Sequence, residues 1–254
     1  MENTMLLETY LRQLRLPTFL QNYRKFAEDA AQKNLGYDRF LLALSEQEVI
    51  QREQNRIVRR IKGARFPVLK ELADFDFSLI PKLNKAKILD LARGEYIDRH
   101  EPILMVGNPG VGKTHVATGL GLAACRQGRK VRFYTAARLV NELLQAQDEH
   151  NLHAFIALAL KQHAIILDEL GFIPFSSTGA QLLFTFCSEL YERVALVVTT
   201  NLKFADWIQV FGDERLTAAL LDRLTHRAHI LEFLGDSHRF RQRMQKETGE
   251  KEHA

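Results

Sequence analysis

The chain has 254 residues, 46% of them hydrophobic, enough for one large domain or for an average domain with a small additional one. The formal net charge of +4 is compatible with a nucleic-acid partner, and Cys125 and Cys187 lie far apart in apolar helical patterns, so we expect reduced, buried thiols and no structural metal. Because the first residues mix charges with apolar side chains and no apolar run could span a bilayer, we expect no signal peptide, no membrane partner and a cytoplasmic location.

The first part of the chain shows helical periodicity and no convincing strand. Apolar residues recur at helical spacing, as at Leu7, Leu11 and Leu14. Phe66-Pro67 and Pro81 bound an extended connector that follows the last of these helices. We therefore predict a small all-α domain over residues 1–80 that binds DNA or a partner protein.

The segment from Glu46 to Ala64 is the most informative part of that domain. When it is drawn as a helix, isoleucines gather on one face and four arginines share the opposite face. These arginines either form a solvated face paired with neighbouring acids or contact DNA phosphates, and a nucleotide motif further along the chain favours the second interpretation. The predicted DNA-binding residues are Arg52, Arg56, Arg59 and Arg60.

A phosphate-binding loop is the strongest motif in the sequence. Residues 107–114 fit Gly-x-x-x-x-Gly-Lys-Thr and follow an apolar run, Ile103 to Val106, that is typical of a buried strand. In such a loop the backbone N–H groups cradle a polyphosphate and the Thr114 hydroxyl binds Mg²⁺. Lys113 adds a positive charge at the phosphates and is predicted to be a catalytic residue. The predicted ATP-binding residues are Gly107, Asn108, Pro109, Gly110, Val111, Gly112, Lys113, Thr114 and His115.

After this loop, apolar segments alternate with helical patterns. The further strands are predicted at residues 131–134, 164–167, 195–199 and 229–233, with helices at 114–126, 136–147, 152–161, 182–193 and 216–225. Nearly continuous apolar strands that alternate with helices indicate a parallel sheet covered on both faces. We predict a three-layer α/β P-loop NTPase domain with a five-stranded parallel sheet over residues 81–254, whose tail is too short for a complete C-terminal lid.

Two carboxylates, Asp168 and Glu169, directly follow the apolar run Ile165 to Leu167. Ligands of parallel sheets bind at this end of the strands. We predict that Asp168 and Thr114 hold Mg²⁺ and that Glu169 polarises the water that attacks the γ-phosphate of ATP. The alternative is that both acids only cap the next turn.

Asn201, at the end of the fourth strand, is a further candidate catalytic residue. It is predicted to reach between the phosphate and the attacking water; alternatively, it caps a helix that starts near Leu202.

Arg223, late in the last helix, is a candidate arginine finger for a neighbouring copy. Its alternative is a surface arginine paired with Asp222 or Glu192, and Arg215 is the reserve candidate. In the basic tail, Arg239 is either a second phosphate sensor or a solvated side chain.

Four segments resemble the AAA+ ATPases in their order and spacing. They are the loop at 107–114, Ile-Ile-Leu-Asp-Glu at 165–169, Thr-Thr-Asn at 199–201 and Asp-Arg-Leu at 222–224. Within that superfamily the chain is similar to the helicase loaders and to the IstB-like helper ATPases of insertion-sequence transposition. Residues 51–67, Asp-Phe-Asp-Phe at 74–77 and the ending at 235–239 resemble the IstB-like group in particular.

The resemblance implies an Mg²⁺-dependent ATPase that multimerises with ATP, as a ring or spiral, on double-stranded DNA. It also implies that the protein recruits or regulates a partner transposase. Two alternatives stay open: a DnaC-like helicase loader whose helical domain grips another protein, and a small-molecule kinase, for which the sequence shows no acceptor site.

Overall fold

The computed structural model describes residues 2–172 and 174–235, and their contacts divide the chain into two units between Arg59 and Arg60. Arg239 and the rest of the basic tail lie outside the described residues. Each unit has its own packing and is described by itself.

The N-terminal unit is built from three helices: α1 (Glu2–Gln13), α2 (Pro17–Gln32) and α3 (Tyr37–Ala64), of which the last continues past the division. Leu11, Ala30 and Leu44 are its buried apolar side chains. The face of α3 that packs carries Leu44 and Glu48, whereas Ile50, predicted on an apolar face, is 51% exposed. The periodicity therefore predicted the helix but not which of its faces is covered.

The second unit contains a five-stranded sheet: β1 (Ile103–Gly107), β2 (Val131–Thr135), β3 (Ala164–Leu170), β4 (Ala195–Thr200) and β5 (His229–Phe233). All neighbouring strands are parallel and their order is β2-β3-β4-β1-β5, which confirms the predicted parallel sheet. The carboxyl ends of all five strands therefore meet at one edge, and β1, which precedes the phosphate loop, lies between β4 and β5.

Helices cover both faces of this sheet, as predicted for a three-layer α/β domain. The helices of this unit are α4 (Lys85–Leu91), α5 (Glu95–Asp98), α6 (Lys113–Arg126), α7 (Ala136–Asp148), α8 (Leu152–Ala159), α9 (Ser177–Leu190), α10 (Ile208–Phe211) and α11 (Glu214–Thr225). Two buried apolar clusters fill the space between sheet and helices, one with Leu139 and Phe186, the other with Ile88 and Val116. The short α10 was not predicted, because four residues are too few to show a helical period. Trp207, directly before it, and Phe211, its last residue, are both buried.

Residues 60–80 belong to the sheet unit, and the predicted domain boundary between residues 80 and 81 needs correction. Ala64 and Ile80 are buried in the same cluster as β1, and Phe66, Leu72 and Phe75 pack against it. Two 3₁₀ turns, Leu72–Asp74 and Phe77–Leu79, interrupt the predicted extended connector. Burying an apolar side chain stabilises a fold by about 1.5 to 3 kcal/mol, so these side chains tie the segment to the sheet.

Both cysteines are free and buried among apolar side chains. Burial raises the pKa of the Cys125 thiol to about 11 and that of the Cys187 thiol to about 12. Both groups are therefore neutral thiols at physiological pH. In the part of the chain that the structure describes, no helix combines the length and apolar character needed to cross a bilayer.

Candidate nucleotide-binding site

The phosphate loop turns sharply between β1 and α6 at the carboxyl edge of the sheet. Gly112 is the N-cap of α6 and has a φ of 95°, a conformation that residues with a side chain rarely adopt. A Cβ atom at this position would lie 2.5 Å from the ring of Phe75. Glycine is thus required both by the backbone angle and by the close approach of Phe75.

Lys113 lies inside this loop with its side chain 9% exposed. Its ammonium donates hydrogen bonds to the backbone oxygens of Gly107 at 2.6 Å and Asn108 at 2.8 Å. The ammonium of Lys113 is therefore enclosed by the loop and lies beside the N-terminus of α6. Both the ammonium and the helix N-terminus favour the binding of an anion at this position.

Asp168 joins the phosphate loop to the ends of β3 and β4. The hydroxyl of Thr114 donates to its carboxylate at 2.9 Å, and the hydroxyl of Thr199 donates at 2.6 Å. The backbone N–H of Glu169 in turn donates to the Thr199 oxygen at 2.9 Å. A hydroxyl beside a carboxylate is an oxygen donor set that suits Mg²⁺, so the two predicted metal ligands do come together and fit this ion.

Glu169 follows Asp168 at an irregularity of β3. The pairing of β3 with β4 shifts register between Leu167 and Leu170, and Glu169 has a φ of 60°. This strained backbone leaves the carboxylate of Glu169 exposed at the same cavity as Thr114, whereas Asp168 is 3% exposed. Neighbouring acids thus take different positions, one buried behind the loop and one open to a ligand.

Asn201 lies at the end of β4 and lines this cavity. Its side-chain oxygen is buried and has no hydrogen-bond partner among the residues that the structure describes. The alternative role as a helix cap is wrong, because the next element is a 3₁₀ turn at Phe204–Asp206 with no side-chain cap, and the N–H of Leu202 donates to Thr200 instead. A buried acceptor without a partner at a cavity wall fits contact with a ligand.

A cavity of about 580 Å³ connects these groups with the segment over residues 67–80. Pro67, Val68, Phe75, Asp76 and Ile80 line the same cavity, and the Phe75 ring lies close to Gly112 of the phosphate loop. None of these residues of the 67–80 segment was predicted as a site residue, although Asp-Phe-Asp-Phe at 74–77 contributed to the resemblance. The polar side of the cavity suits a triphosphate, and the partly apolar side suits a nucleoside base.

The first residues of the predicted binding set do not line the cavity. Gly107 and Asn108 contribute their backbone oxygens to Lys113 instead. His115 lines the cavity, but its ring nitrogen is hydrogen-bonded to the backbone oxygen of Glu71 at 2.7 Å and its ring meets the Phe75 ring edge-on. His115 therefore attaches the 67–80 segment to the phosphate loop.

Comparison with known proteins assigns the family. The family described as IstB-like ATP binding protein matches residues 9–246. The chain belongs to this family. A protein of insertion sequence IS5376 from Geobacillus stearothermophilus, named for ATP binding, is 34% identical over 96% of this chain and 97% of its own length. Its counterpart in IS21 from Pseudomonas aeruginosa is 35% identical over 93% of this chain and 89% of its own.

Solved structures share the fold of this IstB-like chain. The DnaC helicase loader has a TM-score of 0.50 and 21% identity, covering 59% of this chain and 87% of its own. DnaA from Aquifex aeolicus bound to AMPPCP has a TM-score of 0.56 and 17% identity, covering 69% of this chain and 54% of its own. These structures confirm the predicted P-loop α/β fold, and the family match confirms the predicted IstB-like resemblance.

Arg223 of the IstB-like chain lies away from the cavity. One guanidinium N–H donates to the backbone oxygen of Ala219 at 2.9 Å, and the guanidinium carbon lies 5.1 Å from the centre of the Phe184 ring. Among the described residues, no carboxylate lies within ion-pair distance of Arg223, so the pairing with Asp222 or Glu192 is not observed. The reserve candidate Arg215 is exposed in the first turn of α11.

The first arginine of the predicted DNA-binding face, Arg52, has structural partners within the N-terminal unit. Its guanidinium donates to Glu48 at 2.6 Å and to the backbone oxygen of Arg15 at 2.6 Å. Burial by itself raises the pKa of Glu48, but hydrogen bonds from Arg52 and Thr18 outweigh it and hold that pKa below its usual range. Arg52 therefore stabilises the buried carboxylate of Glu48.

The other three arginines differ in exposure. Arg56 is 60% exposed and lies 3.3 Å from Glu53, and Arg59 is exposed with its guanidinium near the backbone oxygen of Asn55. Arg60 is half-buried in the sheet unit, where its guanidinium lies beside Gly128. The four arginines that the sequence placed on one face therefore differ: Arg56 and Arg59 are exposed, Arg52 has a structural role, and Arg60 belongs to the sheet unit.

Proposed function

We propose that this IstB-like protein is an Mg²⁺-dependent ATPase that multimerises with ATP on double-stranded DNA and recruits or regulates a partner transposase. One observation carries the ATPase part: the hydrogen-bonded contact of Thr114 with Asp168 behind the phosphate loop, beside the exposed carboxylate of Glu169. Membership in a family of insertion-sequence proteins supports the part about transposition.

In this proposal the phosphate loop and its lysine bind the triphosphate of ATP. The backbone N–H groups at the start of α6 point at the phosphates, and Lys113 exchanges its hydrogen bonds to loop carbonyls for bonds to phosphate oxygens. The base occupies the wall formed by Pro67, Phe75 and Ile80. Stacking and burial against these side chains orient the nucleotide without adding charge.

Hydrolysis is assigned to the groups at the carboxyl ends of β3 and β4. Thr114 and Asp168 would hold Mg²⁺, which supplies positive charge to the phosphate oxygens when bound. Glu169 accepts a hydrogen bond from the attacking water and orients it for in-line attack. The side chain of Asn201, whose oxygen has no partner within the described part of the chain, fixes that water or the terminal phosphate.

Arg223 acts in a neighbouring copy in this proposal. The helix α11 that carries it ends beside the start of β5, whose first N–H donates to the oxygen of Pro102 just before β1. Arg223 thus lies toward the amino edge of the sheet, whereas the phosphate loop follows the carboxyl end of β1, and Arg223 does not line the cavity. An assembly in a ring or spiral would bring the arginine of one copy to the ATP of the next and make hydrolysis depend on assembly.

DNA binding is assigned to α3 of the N-terminal unit, mainly to the exposed Arg56 and Arg59. Guanidinium groups on a helix surface bind backbone phosphates without reading bases, so the binding is expected to tolerate any sequence. Arg52 adds charge to this surface of the N-terminal unit while it holds its contact with Glu48, and Arg60, in the sheet unit, stays a predicted DNA contact. The helicase-loader alternative is less well supported, because the curated relatives that cover nearly the whole chain are insertion-sequence proteins.

The proposal is tested by measuring phosphate release from ATP with and without duplex DNA. The parent protein is expected to hydrolyse ATP without any added acceptor, as an ATPase does and a small-molecule kinase does not. The Glu169→Gln variant should lose roughly 100-fold or more in kcat while binding ATP normally, because a positioned base contributes about 10² to 10⁴ in rate. Hydrolysis that is unchanged in this variant would remove Glu169 from the mechanism, and a parent protein without hydrolysis would refute the ATPase assignment.

A further inference from the structure

The side chain of Arg223 is held by two neutral groups. Its stem lies on α11, one N–H donates to the backbone oxygen of Ala219 at 2.9 Å, and its guanidinium lies over the ring of Phe184 on α9 at 5.1 Å. Acidic residues occur nearby in sequence, at Asp222 and Glu192, yet among the described residues neither pairs with it.

This arrangement keeps the full charge of the guanidinium available. A carboxylate partner would neutralise that charge and would compete with a phosphate for the same N–H groups. An aromatic face attracts a cation through its quadrupole and restricts the rotamers of a long side chain, but it accepts no strong hydrogen bond. A backbone oxygen occupies only one of the five donors of the guanidinium.

We propose that Phe184 is a positioning residue that holds Arg223 ready for the phosphate of ATP bound to a second copy of this chain. The inference rests on the proposed ATPase function and deepens it, because it identifies the group that orders the trans-acting arginine before assembly. Phe184 is half-buried against α11 and touches neither substrate nor its own phosphate loop.

The chain offers closely matched variants. Phe184→Leu keeps an apolar side chain at the contact with α11 and removes the ring face, whereas Phe184→Tyr keeps the face. Phe155→Leu is the control, because Phe155 is also half-buried against the same apolar cluster. It makes ring contacts with Tyr134 and Phe186 and, within residues 2–172 and 174–235, no cation–π contact. Arg223→Ala gives the full loss of the arginine.

The first measurement is steady-state ATP hydrolysis by the full chain assembled on duplex DNA. Phe184→Leu is expected to lower kcat by roughly 3- to 30-fold with an unchanged KM, the range expected when a cation–π contact is lost. Phe184→Tyr and Phe155→Leu should behave as the parent, and Arg223→Ala should fall further. A lower kcat in Phe155→Leu of the same size would show a merely structural effect and would overturn the proposal.

Mixing of variants then shows on which side of the contact Phe184 acts. At each interface one copy supplies the phosphate loop with Glu169, the loop side, and the next copy supplies Arg223, the arginine side. A Glu169→Gln copy therefore has a defective loop side and an intact arginine side. A mixture of Phe184→Leu with Glu169→Gln is expected to exceed the mean activity of the two proteins measured alone. A mixture of Phe184→Leu with Arg223→Ala should equal that mean, because neither supplies an intact arginine side.

The outcomes separate this inference from the proposed function. If Arg223→Ala is inactive but Phe184→Leu equals the parent, the positioning role is wrong and the trans arginine stands. When Arg223→Ala itself hydrolyses ATP as the parent does, both the trans arginine and the role of Phe184 fail while the ATPase assignment stands. Absence of hydrolysis in the parent would refute the proposed function itself.

Discussion

Some residues at the cavity are in energetically unfavourable states that contact with a ligand would relieve. Asn201 buries its side-chain oxygen without a hydrogen-bond partner, and a buried polar group left in this state costs about 1 to 3 kcal/mol. Because Asn201 lines the cavity, contact with a bound ligand would satisfy this oxygen and remove that cost. Asn201 and the strained backbone of Glu169 both lie at the same cavity wall.

Replacing Asn201 with alanine is therefore expected to separate stability from activity. The free energy of unfolding of Asn201→Ala should stay within about 1 kcal/mol of the parent value or rise above it, because the unsatisfied oxygen is removed. The kcat for ATP hydrolysis should fall by roughly 10-fold or more, as for other groups that orient a reacting centre. Urea unfolding followed by the fluorescence of Trp207, together with phosphate release, measures both. A stability loss of several kcal/mol with normal kcat would assign Asn201 a structural role.

Glu48 gives the N-terminal unit a pH dependence whose sign follows from its lowered pKa. Because hydrogen bonds from Arg52 and Thr18 hold the folded pKa below the ordinary value of 4.5, its contribution to stability is present above that value and is lost as the pH falls through the lowered pKa. The Glu48→Gln variant should destabilise α2 and α3 by about 1 to 3 kcal/mol near pH 7.

This difference from the parent is expected to shrink as the pH falls below 4.5, where the unfolded chain takes up the proton, and to vanish below the lowered folded pKa, where the folded carboxylate is protonated as well. Hydrogen exchange of the Thr18 amide, which donates to Glu48 at 3.0 Å, reports on this contact directly. Equal destabilisation at acidic and neutral pH would contradict the role of the charged form.

At the scale of elements, α3 combines two roles that the sequence could not separate. Arg52 supports the buried Glu48 of its own unit, so its replacement would damage the fold as well as any DNA contact. Arg56 and Arg59 are exposed, and their partners, Glu53 and a backbone oxygen, are on the same helix. They are the arginines whose removal tests DNA binding with the least structural effect.

The double variant Arg56→Ala/Arg59→Ala is expected to bind duplex DNA more weakly and with a shallower salt dependence. Each phosphate contact contributes about 0.9 to the slope of log affinity against log salt, so the slope should decrease by roughly 2. The control is Arg12→Ala/Arg24→Ala, which removes the same charge from two arginines of the same unit, both 65% exposed and paired with Glu8. A loss of equal size in both variants would indicate a general charge effect and not a site on α3.

At the scale of the whole molecule, the proposed mechanism makes bound ATP a condition for assembly and hydrolysis a condition for release. Lys113→Ala is expected to stay unassembled with ATP and duplex DNA, because the loop loses the charge that holds the phosphates. Glu169→Gln should assemble and then remain on DNA longer, in proportion to its lower kcat. Sedimentation of each protein with and without nucleotide measures the change. Assembly of Lys113→Ala to the parent extent would break the proposed link between ATP and multimerisation.

Much of this molecule follows from local patterns. The phosphate loop, the five strands and the long basic helix were predicted because each depends on neighbouring residues or on a period of apolar side chains. The IstB-like resemblance was also predicted, because it rests on short motifs of neighbouring residues. Asp168 and Glu169 were assigned to the carboxyl edge of the sheet because parallel strands all end there.

The sequence by itself thus determined the fold class, the phosphate loop and the family. Tertiary packing alone showed that residues 60–80 belong to the sheet unit, that part of this segment lines the cavity, and that Arg52 supports Glu48. It also showed that Arg223 lies on Phe184 and has no acidic partner among the described residues. The physical reason is that these contacts join residues far apart in the chain, on faces of helices that periodicity alone leaves equivalent. A repeating pattern shows which residues share a face of a helix. Which residues contact that face depends on the packing of the whole fold.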